Sequence, residues 1–385
     1  MRLTDEEKGM LDGIEGPAVA AAMDLLVRYG EALGCGHLCD VRNVAGTMTQ
    51  LSPVRARLVA EVGWDRAFAV INLDCDDDFE IPPMRVATCG TIPVRGEHCS
   101  WMESSAVIYA NSVLGARTNC EGAASTGAAS LTGKVPCWGN HLDGNRHGTH
   151  LIDVAVRVDD FAEWGMLGYF VGRLAGEERP VITGDIGRPD LAGLKHFGAA
   201  AATSGGVELY HIPGITPEAP TEAAAFGPAP RPDAVRYGAD QRRAVYEDLN
   251  SQGTSTDVDF VLLGRAHASV DQIRQAARAL DGRRLSPGTE LWLMVPRALK
   301  VIADRSGCTD IIERAGGKVL ADSCPAMSGV PPLGTRVFAT DSARQAHYLP
   351  AILALEAWFG TLDERVDAAV TGRWRGHLRP PGDLR

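Results

Sequence analysis

The chain has 385 residues, 45% of them hydrophobic and 23% charged, and carries a formal net charge of −11. That is the composition of a soluble globular protein, at a length that exceeds one hydrophobic core, so roughly two or three domains are expected. The acidic balance argues against general nucleic-acid binding, no apolar run is long enough to span a bilayer, and the opening MRLTDEEKGM is too polar for a secretory signal. The nine cysteines (35, 39, 75, 89, 99, 120, 137, 308 and 324) are odd in number and mostly far apart. With no export signal, this predicts a reducing, cytoplasmic setting and mainly structural thiols. No CxxC spacing occurs, so any metal site must be assembled from distant segments.

In chain order, Thr4 to Glu7 fits a capping box and residues 16–33 read as an amphipathic helix. RAFAVINL (66–73) reads as a strand entering an acidic loop, followed by a Gly/Pro/Thr-punctuated stretch over 84–99. Ser100 and Glu103 fit a second capping box, which predicts a helix from Trp101 that Gly115 ends. At helical spacing Ser104, Ser105, Asn111 and Ser112 share one side, while Ala106, Val107, Ala110, Val113 and Leu114 share the other. A solvated face would carry Lys and Glu. This one carries small neutral hydrogen-bonding groups and then runs into Arg117-Thr118-Asn119-Cys120-Glu121. A buried helix whose hydroxyls bond back to its backbone explains the helix alone. With the polar loop attached, the segment points to a pocket.

Residues 116–150 are rich in Gly, Asn, His and small side chains, a composition for close backbone approach. Strands are predicted at 151–158, 180–184 and 207–212, with helices at 161–174 and 191–203 between them. Residues 213–232 are proline-rich, as at a linker or domain surface. From Val258 regular β–α alternation follows: strands at 258–264, 290–295, 320–322 and 336–340, with helices near 270–280, 297–305 and 342–348. This pattern predicts a small parallel α/β domain.

Such sheets present function at the carboxyl ends of their strands. Those ends carry Arg265, His267 and Ser269, then Ser323-Cys324, then Ser342 and Arg344. Helix N-capping alone accounts for Ser269 and Ser342. Other candidates are Cys89 at a strand end, His141, Asn145 and Arg146 within GNHLDGNR, and His211 ahead of the loop holding Glu218. No P-loop, strand–GxGxxG–helix, zinc-protease motif or GxSxG elbow occurs.

These segments, in this order, resemble the large subunit of the aconitase X family. The match is dense at ESSAVIYANSVLGARTN (103–119), 139–146, LKHFGAAAATSG (194–205), HIPGITPEAPT (211–221), 264–269, 322–324 and 340–348, and TGRW (371–374) fits the family's C-terminus. The resemblance implies an aconitase-superfamily multi-domain α/β large subunit with a C-terminal parallel α/β domain over 256–344. Residues 1–255 would form the aconitase X-like region as two subdomains, with 345–385 packing back on it and the site at the domain interface. It also implies a metal-assisted hydro-lyase or isomerase, catalysing dehydration or a related rearrangement or cyclisation of a small hydroxy-carboxylate, since relatives dehydrate cis-3-hydroxy-L-proline or mevalonate 5-phosphate. They use an iron–sulfur or iron centre as Lewis acid and a small domain or subunit that completes the site.

Dehydration of a hydroxy acid needs a cationic clamp, polarisation of the leaving hydroxyl and a base for the α-proton. Arg117 and Arg146 suit the clamp. Ser105, Asn111, Thr118, Asn119, Arg265, Ser342 and Arg344 are assigned to substrate binding, and His211, His267, Ser104 and Glu218 to catalysis. The chain departs from the family where a middle cluster thiolate is expected, which is Arg265 here. Cys120 stands for an arginine, Arg344 for a lysine and Asn43 for a histidine. Cys89, Cys120 and Cys324 are therefore assigned to a three-thiolate site for iron, with zinc and copper as alternatives. The competing assignments are a passive Cys120 in a metal-free site, and a binding or regulatory subunit that kept the fold. Expected partners are a small anionic hydroxy acid and a separate small subunit, with no nucleic acid and no membrane.

Overall fold

A computed structural model describes residues 92–264, 267–321, 325 and 331–380, with the backbone of two short strands at 38–40 and 43–45. The helix predicted at 16–33 and the strand at 66–73 lie outside the described residues. The described chain divides into two compact units, one holding 92–148 and 208–229 with the two early strands, the other 149–207 and 230–380.

The first unit contains β1 (Leu38–Asp40), β2 (Asn43–Ala45), β3 (Cys99–Trp101), α1 (Ser104–Tyr109), α2 (Ala123–Thr132) and β4 (Lys134–Pro136). β1 pairs antiparallel with β4, and β2 pairs parallel with β3. The capping box at Ser100 does not form, because Ser100 and Trp101 are committed to the β3 ladder. Glu103 caps α1 instead, its Oε2 accepting the Ala106 amide at 2.8 Å. A carboxylate suits this place, since it satisfies an orphan N–H and meets the positive end of the helix.

α1 passes into a π-helical turn, Ala110–Leu114, which Gly115 closes in the left-handed conformation at φ 71°. Only a residue without Cβ adopts that backbone freely. Every residue from Ser105 to Ser112 is buried, so the two predicted faces do not divide solvent from core. Both faces are covered, and the polar one serves neighbouring backbone. The Asn111 amide donates to Glu208 O at 2.9 Å, and Ser112 Oγ accepts the Tyr210 N–H at 2.9 Å. No strand extends over 207–212, where Glu208 O and Tyr210 N–H are taken by these side chains and only His211 makes an isolated bridge.

The second unit begins with β5 (His150–Val154), α3 (Phe161–Ala175), β6 (Pro180–Gly184), α4 (Leu191–Gly205), β7 (Ala234–Tyr237) and α5 (Ala239–Leu249). The three strands form a parallel sheet in the order β6–β5–β7. The chain just beyond the proline-rich stretch thus enters a sheet. Helices α3 and α4 touch through small residues. A Cβ on Gly168 would lie 2.2 Å from Phe197 O, and one on Gly172 would lie 2.4 Å from Ala201 O. Glu163 of α3 and Arg242 of α5 form a buried ion pair with two bonds from Nε at 2.9 Å.

The unit continues as β8 (Phe260–Leu263), α6 (Val270–Leu280), β9 (Glu290–Val295), α7 (Arg297–Arg305), α8 (Cys308–Ala315), β10 (Lys318–Ala321), β11 (Val337–Thr340), α9 (Ala343–Leu353), β12 (Glu356–Phe359) and α10 (Leu362–Thr371). All five strands are parallel in the order β10–β9–β8–β11–β12. The order reverses between β8 and β11, and β8 and β11 are wholly buried, as a sheet covered on both faces requires. Leu263, Ile273, Leu293 and Ile312 belong to one apolar core of this unit, and Phe260, Leu262, Phe338 and Phe359 to another. Ser269 and Ser342 cap α6 and α9.

Gly168→Ala tests the helix contact. Alanine favours a helix interior by about 0.5–1 kcal/mol over glycine, whereas overpacking a tight contact costs about 1–3 kcal/mol. The urea midpoint is expected to fall; an unchanged or higher midpoint would show that the helices separate at no cost.

Candidate active site

The first unit holds a cavity of about 260 Å³ whose walls include Arg95, Arg117, Arg146, His147, His211 and Glu218. Four residues assigned from sequence, Arg117, Arg146, His211 and Glu218, are therefore brought together. Their environments differ, and the difference decides what each can do.

Arg146 follows two consecutive 3₁₀ turns, Gly139–His141 and Asp143–Asn145, and is 4% exposed. Its Nε donates to Glu218 Oε2 at 2.7 Å. Nη1 donates to Asn140 O at 2.8 Å and Asn111 Oδ1 at 3.2 Å. Nη2 donates to Ala116 O at 3.0 Å and Asn111 O at 3.3 Å. A guanidinium has five N–H donors, and all five are engaged. Burial lowers its pKa, the Glu218 carboxylate opposes that, and the group remains a cation at neutral pH.

Arg117 is 19% exposed, donates to His141 O at 2.9 Å and pairs with the exposed carboxylate of Asp143. That partner is held in water, where an ion pair is weak. Arg117 is thus the less committed cation of the cavity, and Arg146 is part of its frame.

His211 is 2% exposed, and its Nε2 lies 2.7 Å from Arg146 O. A carbonyl only accepts, so Nε2 carries the proton and Nδ1 presents a lone pair. Among the described residues Nδ1 has no hydrogen-bond partner. Burial lowers the imidazole pKa, against the bond to Arg146 O and the charge of Glu218. The ring is therefore a neutral base with a fixed tautomer.

A pair of imidazoles lies near Arg117. His98 and His141 stack at 5.0 Å with their Nδ1 atoms 2.8 Å apart, so one donates to the other. Burial, then His98 and the two arginines, takes His141 down to about 3. Burial and Arg117 lower His98 as well.

The other assigned residues of this unit build the frame. Asn111 Nδ2 donates to Thr118 O, and its Oδ1 accepts the Thr118 amide. Thr118 is wholly buried and bonds Asn119 O. Asn119 Oδ1 accepts the Asn140 N–H at 2.7 Å, and a Cβ on Gly139 would lie 2.3 Å from that oxygen. Ser104 is half-buried and Ser105 is buried, both in the first turn of α1. Cys120 is exposed, with its thiol donating to Met102 O at 3.1 Å and its amide to Glu208 Oε1.

In the second unit, His267 is buried at φ 28°, a strained backbone for a non-glycine residue, and its carbonyl accepts from Lys195 Nζ at 2.6 Å. Ser342 caps α9, and Arg344 reaches Thr203 Oγ1 while lying 5.4 Å from the centre of the Tyr348 ring. Cys89, Arg265 and Cys324 lie outside the described residues. Among the described residues no group of three His, Cys, Asp or Glu side chains is placed to hold a metal ion. Cys120, hydrogen-bonded as a thiol, does not form a ligand set by itself. Sequence reasoning missed Arg95, His98 and His147, which stand in irregular segments where no periodicity marks them.

With a cationic pocket and a neutral, tautomer-fixed imidazole in one unit and parallel sheets in the other, the chain is of the multi-domain α/β class. Comparison with known proteins agrees. Family models for the first, second and third domains of aconitase X match residues 81–144, 148–247 and 258–371. The phosphomevalonate dehydratase large subunit of Methanothermobacter thermautotrophicus is 36% identical over 91% of this chain and 94% of the relative. The cis-3-hydroxy-L-proline dehydratase of Hypocrea jecorina is 31% identical over 97% of this chain and 69% of the relative. The crystal structure of Thermococcus kodakaraensis aconitase X in its holo-form superposes with a TM-score of 0.75 at 29% identity, covering 96% of this chain and all of that one. The chain belongs to the aconitase X family, and with it to the hydro-lyases.

Proposed function

We propose that the cavity of the first unit removes water from a small hydroxy-carboxylate, with Arg117 as the anion clamp and His211 as the base. The observation that carries this reading is His211 itself: a neutral imidazole on the cavity wall, its Nε2–H fixed by Arg146 O and its Nδ1 without a partner among the described residues. Named relatives act on phosphomevalonate and on cis-3-hydroxy-L-proline. Both are hydroxy-carboxylates, so a carboxylate facing arginine is common to them.

In this account the substrate carboxylate displaces Asp143 from Arg117 and is met by Arg95 on the same wall. Arg146 cannot donate to it, but its charge supports anion binding through the wall. His211 Nδ1 takes the proton from the carbon next to the carboxylate, and the C–O bond at the following carbon breaks as the C=C bond forms. The departing hydroxyl takes that proton back from the imidazolium to leave as water, so an unsaturated acid remains and the imidazole is neutral again. In between, the imidazolium is stabilised by Glu218, which Arg146 holds in place. For the cofactor we propose Cys89, Cys120 and Cys324 as thiolate ligands, iron being favoured over zinc and copper. Residue type supports all three, and family position supports Cys89 and Cys324, with Cys120 making up for the thiolate that Arg265 replaces. The relatives' title of large subunit supports a separate small subunit for this chain too.

Kinetics of dehydration, with the small subunit supplied, test the assignment. Arg117→Ala is expected to raise KM at least tenfold, and His211→Asn to lower kcat by about 10²–10⁴. Because burial depresses the His211 pKa, the base is lost only as pH falls through that lowered value. The acid limb of kcat/KM should therefore lie below about pH 6.5. A His211→Asn variant within threefold of wild type would remove the base assignment. Metal analysis of anaerobically purified protein tests the thiolates: iron should fall in Cys89→Ala, Cys120→Ala and Cys324→Ala, and iron content unchanged in all three would refute the ligand set.

A further inference from the structure

The second unit contains a larger cavity, of about 750 Å³, that shares no lining residue with the cavity of the first. Two of its wall residues, Asp341 just beyond β11 and Arg365 in α10, form an ion pair with Nη2 and Oδ2 2.8 Å apart. Arg365 Nε donates to Thr361 O at 3.1 Å. The side chains are only 3% and 5% exposed, yet Arg365 Nη1 and Asp341 Oδ1 have no hydrogen-bond partner among the described residues. Buried polar atoms are almost always paired, and charged ones are the most costly to leave unpaired. Here an unmatched donor and an unmatched acceptor belong to the two partners of one ion pair, and both residues line the cavity.

The first turn of α10 adds to the donor side. Leu362 and Asp363 line the cavity, and the first amides of a helix have no partner within it and stand at its positive end. Asp160, the N-cap of α3, adds an acceptor on the wall.

We propose that this cavity is a second small-molecule site, taking a carboxylic acid with a hydroxyl or ammonium group on the adjacent carbon. The carboxylate accepts from Arg365 Nη1 and the neighbouring group donates to Asp341 Oδ1. A simple anion would leave Asp341 facing it, and a simple cation would face Arg365. Only a ligand that presents acceptor and donor on adjacent atoms satisfies both. The inference does not rest on the chemistry proposed for the first unit.

The test is binding of L-lactate, L-alanine and propionate to the full chain, followed by saturation-transfer NMR and titration calorimetry. The three acids share a skeleton and differ in the α-substituent: hydroxyl, ammonium or hydrogen. Lactate or alanine is expected to bind at least tenfold more tightly than propionate, and which of the two wins identifies the donor. Gln275→Trp and Ala279→Phe fill the cavity from α6 without touching the buried pair, and should weaken that ligand at least tenfold. Arg117→Ala should leave it unchanged. Equal affinity for the three acids, no binding of lactate or alanine, full binding in both filled variants, or loss in Arg117→Ala would each overturn the proposal.

Discussion

The first unit depends on one buried guanidinium. Burying an uncompensated cation is costly, and the cost is met only when every donor finds an acceptor. Arg146 achieves this with two carbonyl contacts at the π-helical turn and the loop after it, one at the 3₁₀ turn, one amide oxygen and one carboxylate. Three irregular segments that could not hold each other by ladders are thereby fixed to one planar group. The π-helical turn, the Gly139–His141 turn and the Glu218 loop share a single centre.

From that centre the electrostatics of the cavity follow. A permanent cation behind the wall disfavours further positive charge, so His98 and His141 are pushed toward the neutral form alongside the larger effect of burial. His211 is neutral for the same main reason, and its tautomer is set by the carbonyl of Arg146 itself. The same residue therefore places the charge and orients the imidazole. Arg117, with an exposed and screened partner, is left as the more weakly held cation of the two. Two arginines of one pocket thus divide into a frame and a hand, and exposure decides which is which.

Much of this was legible in the sequence, for reasons that can be named. The C-terminal sheet announced itself because buried parallel strands are continuous apolar runs separated by amphipathic helices, and Ser269 and Ser342 marked two helix starts. The dense polar segment after Gly115 marked the pocket. What failed was local: Ser100 met the capping-box pattern, but the β3 ladder had already claimed its backbone, and Glu103 took the cap. Residues 207–212 have strand composition, yet their backbone bonds to Asn111 and Ser112, which no pattern within 207–212 reveals. β12 and α10 went unread because short segments with mixed polarity carry little periodicity. The role of Arg146 was hidden most deeply. Sequence identifies a guanidinium, whereas its acceptors are mostly backbone carbonyls, which every residue has. Arg146 and Arg117 consequently looked alike until their partners were known.

Amide hydrogen exchange of Arg146→Lys compared with Arg117→Lys tests this account most directly. A lysine keeps the charge but cannot reach five acceptors in a plane. Arg146→Lys should lose protection together at residues 110–120, 139–146 and 212–219, while Arg117→Lys should leave those segments as protected as in wild type. Loss confined to the immediate neighbours of residue 146, or equal loss in both variants, would contradict the claim that one guanidinium holds the pocket together.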